Sequence, residues 1–249
     1  MPVPNPVAFT IFGLNIMWYG ILIATGVMLG CGIAIKRAPR LGVDPDKLFT
    51  ALLIAIPTPV IGARAYYVII ERSDYAGDFH KIINIREGGL AIHGGLIGAF
   101  LAAFIVTKLW KMGTLNTFDL AAPSIALGQA IGRWGNYFNS EAHGGPTDLP
   151  WAVNINGVGC HPTFLYESIW CFLLFIFLSY MIGRRKFAGQ LICLYGILYS
   201  IERIFVESLR TDSLMISPLK QAQVISITII IVCLVLYFVF SRRAAANRE

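Results

Sequence analysis

Apolar residues run along this chain in long stretches separated by short polar connections. Seven of them, near 16–35, 48–70, 88–107, 118–138, 163–182, 188–209 and 221–240, are long enough to form membrane-crossing helices. A helix needs about 20 residues to cross a hydrocarbon core of roughly 30 Å. The pattern predicts an all-α polytopic membrane bundle forming one domain over 1–249. The segment 139–162, rich in Gly, Pro and Asn with Trp151 as an interfacial anchor, is expected to be a small extracytoplasmic cap. Pro57 and Pro59 predict a kink in the second stretch, because proline removes a helical hydrogen bond. Two halves with matching broken helices, the mark of many secondary transporters, are not found in the sequence. Residues 1–15 lack the positive region of a signal peptide, so the first stretch is expected to remain as a span.

Composition agrees with this pattern. Of the 249 residues, 56% are hydrophobic and only 14% charged, far from a soluble average. The net charge of +6 does not point to nucleic acid, because the basic residues form no contiguous run. They follow the connections instead. Lys36, Arg37, Arg40, Lys47, Lys108, Lys111, Arg184, Arg185, Lys186, Arg242, Arg243 and Arg248 fall on one side of the predicted bundle. Arg72, Lys81, Arg86, Arg210 and Lys220 fall on the other. The excess sets the amino terminus outside and the carboxyl terminus in the cytoplasm. Cys31, Cys160, Cys171, Cys193 and Cys233 have no metal or redox spacing, and no disulfide framework or zinc site is indicated.

The remaining polar residues carry the candidate chemistry. The stretch 128–145, GQAIGRWGNYFNSEAHGG, starts inside an apolar run and breaks into a polar loop. Gly128 and Gly132 share a helix face that a neighbouring backbone can approach closely. Arg133 and Asn136 share another, with Glu141 and His143 close behind in the loop. At 1.5 Å per residue Arg133 lies roughly 8 Å below the outer end of its helix, and His93, Arg203 and Arg64 lie at about the same depth. Charges at that depth cost at least about 2.5 kcal/mol each and need partners. Glu207 can satisfy one arginine, and Glu141 or Glu167 another. Arg64 can snorkel or pair with Glu71 in the loop 71–87. A surplus of positive charge is expected at this layer, and it suits a lipid phosphate, which arginine matches in shape. Arg203, Glu207 and Arg210 are expected to form one charged stripe.

Structural readings stand beside the functional ones. Arg203 with Glu207 can be an ion pair of the scaffold, Arg133 with Asn136 a clamp on the loop, and Glu141 a loop organiser. His93, expected among close-packed glycine backbones, can be a structural donor. Trp18 and Tyr19 can be an interfacial belt.

The central signature GRWGNYFNSEAHGG resembles that of the prolipoprotein diacylglyceryl transferases. Similar segments follow in order: WYG at 18–20, GGLAIHGGLIG at 88–98, HPTFLYE at 161–167 and ERIFVESLR at 202–210. The resemblance implies a bacterial inner-membrane enzyme without a cofactor. Its implied substrates are phosphatidylglycerol and the lipobox cysteine of a preprolipoprotein signal peptide. It also implies that His93, Arg133, Arg203, Glu207 and Tyr19 are catalytic. Arg133, Asn136, Glu141, Gly144, Arg64, His161, Glu167 and Arg210 are then expected to bind substrate. His93 is the candidate proton acceptor for the thiol, or else orients lipid. A transporter would place polar groups at the midplane and toward both leaflets, and the inner halves here are nearly free of them. A lipid hydrolase would need a nucleophile triad or a metal arrangement, and neither is indicated.

Overall fold

The computed structural model describes residues 1, 4–75, 77–85, 88–211, 213, 215–216 and 219–246. Arg86, Glu87 and Arg248, which enter the loop and charge pattern above, lie outside the described residues. Among these the architecture is helical, with three short antiparallel hairpins. In chain order the elements are the strands β1 (Val7–Ile11) and β2 (Leu14–Met17), then the helices α1 (Trp18–Arg37), α2 (Pro45–Ala55), α3 (Thr58–Ile70), α4 (Arg72–Tyr75), α5 (Phe79–Ile83), α6 (Ile92–Leu109) and α7 (Thr114–Asn139). There follow β3 (Val153–Ile155), β4 (Val158–Cys160), α8 (Thr163–Met181), α9 (Gln190–Leu209), β5 (Met215–Ile216), β6 (Leu219–Lys220) and α10 (Gln221–Ala246). Among the described residues four helical segments, Trp18–Leu41, Pro45–Ile70, Thr163–Met181 and Gln221–Ala246, are long and apolar enough to cross a membrane, and the protein is a membrane protein. The apolar run His93–Leu109 is shorter, and α7 and α9 carry the buried polar side chains described below.

The chain divides into two compact units, one made of Gly42–Thr117 and the other of Met1–Leu41 with Phe118–Glu249. Within the first, the two prolines act more strongly than a kink. α2 ends at Ala55, Ile56 closes it by donating to the Leu52 carbonyl at 2.9 Å, and α3 begins anew at Thr58. Pro59 then sits in the first turn of α3, where its missing N–H leaves no acceptor unserved. α6 starts at Ile92 rather than 88 because Gly88 and Gly89 have φ of +88° and +71°, outside the right-handed helical region. The two helices meet through glycine. A Cβ on Gly62 would lie 3.0 Å from the Gly98 Cα, and one on Gly98 would lie 2.8 Å from the Thr58 carbonyl oxygen. Backbones this close gain dispersion contacts that larger side chains would prevent.

The second unit opens with the β1–β2 hairpin, which turns at Phe12 and Gly13, both at positive φ. That is the two-residue turn whose twist matches paired strands. Its base is tied to α1 by the Trp18 N–H, which donates to the Pro6 carbonyl at 3.0 Å. α1 lies against α7 through small residues: a Cβ on Gly26 would stand 3.2 Å from the Gly128 Cα, and one on Gly30 would stand 3.1 Å from the Ser124 carbonyl. The other end of the bundle is organised by Asp119 on α7, which is fully buried. Its carboxylate accepts from the backbone N–H groups of Gly189, Leu191 and Ile192 at 2.8, 2.9 and 3.0 Å, and from the Arg185 guanidinium. It therefore satisfies unpaired donors at the start of α9 and meets the positive end of that helix dipole.

Replacing Asp119 by Ala takes the acceptor from three backbone N–H groups and removes the carboxylate paired with Arg185. Thermal unfolding in detergent is expected to show a loss of about 3–5 kcal/mol, as for other broken buried pairs. Asp119→Asn, which keeps one acceptor oxygen, should lose less.

Candidate active site

The site is built on three helices of one unit. Glu167 lies about one turn inside α8 and is fully buried. Its carboxylate forms an ion pair with Arg133 of α7, and both of its oxygens lie 3.3 Å from Arg203 Nη1 of α9. Arg203 also pairs with Glu207, one turn further along α9, at 2.6 Å. Arg133 Nη2 donates to the Tyr199 hydroxyl at 3.2 Å. The Tyr199 ring stacks on Tyr195 at 5.7 Å, and the Tyr195 hydroxyl donates to Gln129 at 2.8 Å. The Arg133 and Arg203 side chains remain 19% and 17% exposed while that of Glu167 is 1% exposed. Each guanidinium is thus held by a buried carboxylate while its side chain stays partly exposed.

The polar loop after α7 is seated on this frame. Ser140 and Ala142, on either side of Glu141, have φ of +57° and +55°, a conformation that non-glycine residues adopt only under constraint. The constraint is visible. The Glu141 N–H donates to the Asn136 carbonyl at 3.0 Å, and the Asn136 and Asn139 amides donate to the Glu141 carboxylate at 3.1 and 3.4 Å. Thr163, at the start of α8, donates its hydroxyl hydrogen to the Ala142 carbonyl. Gly144 then passes so close to its neighbours that a Cβ would lie 2.7 Å from that of His161 and 3.0 Å from the Leu209 carbonyl. Its N–H donates to the His161 carbonyl, and Gly145 N–H to the Leu209 carbonyl, each at 2.9 Å. His161 contacts the Tyr166 hydroxyl at 3.3 Å, and Trp151 donates to that same hydroxyl at 3.1 Å. Tyr19 packs its ring on Gly135, where a Cβ would lie 2.9 Å from Cε2.

Of the expected site residues, this unit brings together Arg133, Arg203, Glu167 and Glu207, and it orders Asn136 at the end of α7 with Glu141, Gly144 and His161 in the adjoining segment. Four expectations need correction. The charged stripe stops at Glu207, because α9 ends at Leu209 and Arg210 turns into extended backbone at φ −75° and ψ 145°. Arg210 instead bridges to Gly144, and its carbonyl, with that of Glu207, accepts from the Lys220 ammonium. The positive surplus is not found within this unit, since Glu167 and Glu207 answer both arginines. Arg64, in the other unit, does not pair with Glu71. It is buried and donates to the carbonyls of Lys81, Ile82, Gly88 and Gly89, with Tyr75 4.9 Å from its guanidinium. It secures the loop that leads into α6. His93 is not enclosed by the glycine contact. Gly94, Gly95 and Gly98 face α3, whereas His93 is exposed on the first turn of α6, its ring 6.5 Å from that of Tyr66.

Sequence reasoning passed over Tyr199, although it precedes Arg203 by one helical turn and shares its face. It also assigned no role to Glu202, taken up below.

Apolar membrane-length helices around a carboxylate-braced pair of arginines define a helical membrane protein with a buried charged cluster. Comparison with known proteins makes this specific. The profile of the prolipoprotein diacylglyceryl transferases matches residues 6–239. A phosphatidylglycerol–prolipoprotein diacylglyceryl transferase of Clostridioides difficile (strain 630) is 51% identical over 241 residues, covering 97% of each chain. Proteins of the same name from Finegoldia magna and Clostridium novyi are 49% and 47% identical over 244 and 242 residues; the alignments cover 98% and 93% of this chain and 98% and 94% of the relatives. This chain belongs to the prolipoprotein diacylglyceryl transferase family.

Gly144→Ala should lift the loop from His161 and α9, costing about 1–3 kcal/mol in thermal unfolding. Hydrogen exchange at the amides of Gly145 and His161, both bonded across this contact, should speed up in the variant.

Proposed function

We propose that this protein transfers the diacylglyceryl group of phosphatidylglycerol to the lipobox cysteine thiol of a preprolipoprotein, the first step of lipoprotein maturation. Family membership supports the reaction class, and the two arginines braced by Glu167 support the site. In this reading the seven helical stretches all span the bacterial inner membrane, with the amino terminus outside and the segment 139–162 capping the outer face. No cofactor takes part.

The cysteine sulfur attacks the glyceryl carbon that carries the phosphate. A carbon–sulfur bond forms, the carbon–oxygen bond breaks, and its electron pair leaves on the phosphate of glycerol phosphate. Two demands follow. Charge gathers on the departing phosphate, and Arg133 and Arg203 offer it their N–H groups in a site of low dielectric. Their orientation is set in advance by Glu167 and Glu207, so little reorganisation is needed as the charge develops. The thiol must also lose its proton, because the thiolate is the nucleophile and an unperturbed cysteine ionises near pH 8.5. His93 is the proposed acceptor, imidazole being the side chain most often used as a general base. Asn136, Glu141, Gly144 and His161 shape the loop that receives lipid and peptide, Tyr19 packs on α7 at Gly135, Arg210 bridges to Gly144, and Arg64 secures the segment before α6.

The test is direct. Purified protein incubated with phosphatidylglycerol and a lipobox peptide should yield, by mass spectrometry, a peptide bearing a diacylglyceryl thioether together with free glycerol phosphate. A peptide with Ser for the acceptor Cys should stay unmodified, and no thioether from the Cys peptide would end the proposal. Arg133→Lys and Arg203→Lys should each lower kcat by about 100-fold, the scale of losing one donor to a developing oxyanion. Full activity in both would remove the electrostatic part.

A further inference from the structure

One buried charge-bearing group has no place in the mechanism above. Glu202, on α9 next to Arg203, is 5% exposed, and neither of its carboxylate oxygens accepts a hydrogen bond among the described residues. The arginines around it are committed elsewhere: Arg133 to Glu167 and Tyr199, Arg203 to Glu167 and Glu207. The titratable groups near Glu202 are Arg133 from α7, Glu167 and Cys171 from α8, and Arg203 from α9 itself. α10 contacts α9 at this level, where Gln223 donates to the Ile204 carbonyl, and it carries no ionisable side chain between Gln221 and Val232. An ionised carboxylate so enclosed costs several kcal/mol unless paired, and it avoids that cost by keeping its proton.

We propose that Glu202 is a positioning residue of the transfer reaction, held as a neutral acid so that Arg133 and Arg203 stay divided between Glu167 and the lipid phosphate. Ionised, it becomes a third carboxylate competing for two guanidiniums. Whichever arginine turns to it abandons either the brace at Glu167 or the phosphate. Glu202 acts through the arginines and does not touch substrate. The proposal rests on the lipid-phosphate reading of the site, and it concerns which carboxylates the arginines may serve.

The experiment has an optical arm and a kinetic arm, both on the full-length protein in lipid nanodiscs. Infrared spectroscopy of the wild-type protein at neutral pH should show the carbonyl band of a protonated carboxylic acid. The band should be lost in Glu202→Gln and shifted in Glu202→Asp. Its absence from the wild type overturns the proposal. In the kinetic arm, kcat for the lipobox peptide and phosphatidylglycerol is followed against pH for wild type and Glu202→Gln, a neutral side chain of nearly the same shape. The ratio of variant to wild type should be near one at neutral pH. It should rise about tenfold per pH unit above the pH at which the infrared band fades, since titration of the shared thiol cancels in the ratio. A ratio constant across the range, or a variant inactive at neutral pH despite wild-type thermal unfolding, also overturns it. If Glu202→Gln does not fold, the wild-type band and the alkaline fall of wild-type kcat must still coincide in pH, and disagreement between them is fatal. Should the wild-type protein yield no thioether at any pH, the transfer reaction itself falls, whereas the infrared band answers independently whether Glu202 is neutral.

Discussion

Everything in the candidate site depends on a single carboxylate taken out of water. Glu167 is enclosed at the start of α8, and an ion in that position is tolerable only with cations at close range. Arg133 and Arg203 supply them from two other helices, so one side chain fixes α7 and α9 relative to α8. The same contact turns two long, flexible side chains into oriented donors. Pairs of this kind add little net stability, because desolvation offsets most of the Coulomb gain. Their contribution is to exclude other arrangements, since breaking one leaves a buried charge alone.

The surroundings of that carboxylate are held with comparable strictness. Glycine contacts bring α1 against α7 at Gly26 and Gly128, and the ring of Tyr19 rests where Gly135 has no side chain. The loop from Ser140 to Gly145 carries two left-handed non-glycine residues and a glycine passing under His161, an unfavourable conformation maintained by hydrogen bonds to Asn136, Thr163 and Leu209. At the end of α9 the Lys220 ammonium accepts the role of a helix cap, donating to the Glu207 and Arg210 carbonyls. The C-terminal end of α9, with Glu207 on it, is therefore secured from both the loop and the hairpin that precedes α10.

The unit Gly42–Thr117 obeys the same chemistry with a different outcome. Arg64 is buried where Arg133 and Arg203 are only partly so, yet it meets backbone carbonyls rather than carboxylates. A guanidinium satisfied by carbonyls keeps its charge and orders the loop that delivers His93 to the head of α6. Depth in a helix alone cannot tell these two fates of an arginine apart, because both satisfy the same desolvated cation.

Local and periodic features were readable from the chain alone. Long apolar stretches placed the helices, the proline pair placed the interruption between α2 and α3, and the four-residue interval placed Arg203 beside Glu207. Asn156-Gly157 marked the β3–β4 turn just as clearly, both residues standing at positive φ, though that signal went unread. These features are legible because they depend on neighbours within a few residues. The pairing of Arg133 with Glu167 across 34 positions, the loss of Arg210 from the helix, the carbonyl clamp on Arg64 and the isolation of Glu202 were decided only by tertiary packing. Which acid meets which base inside a bundle depends on helix rotation and close approach, and a linear pattern carries no record of either.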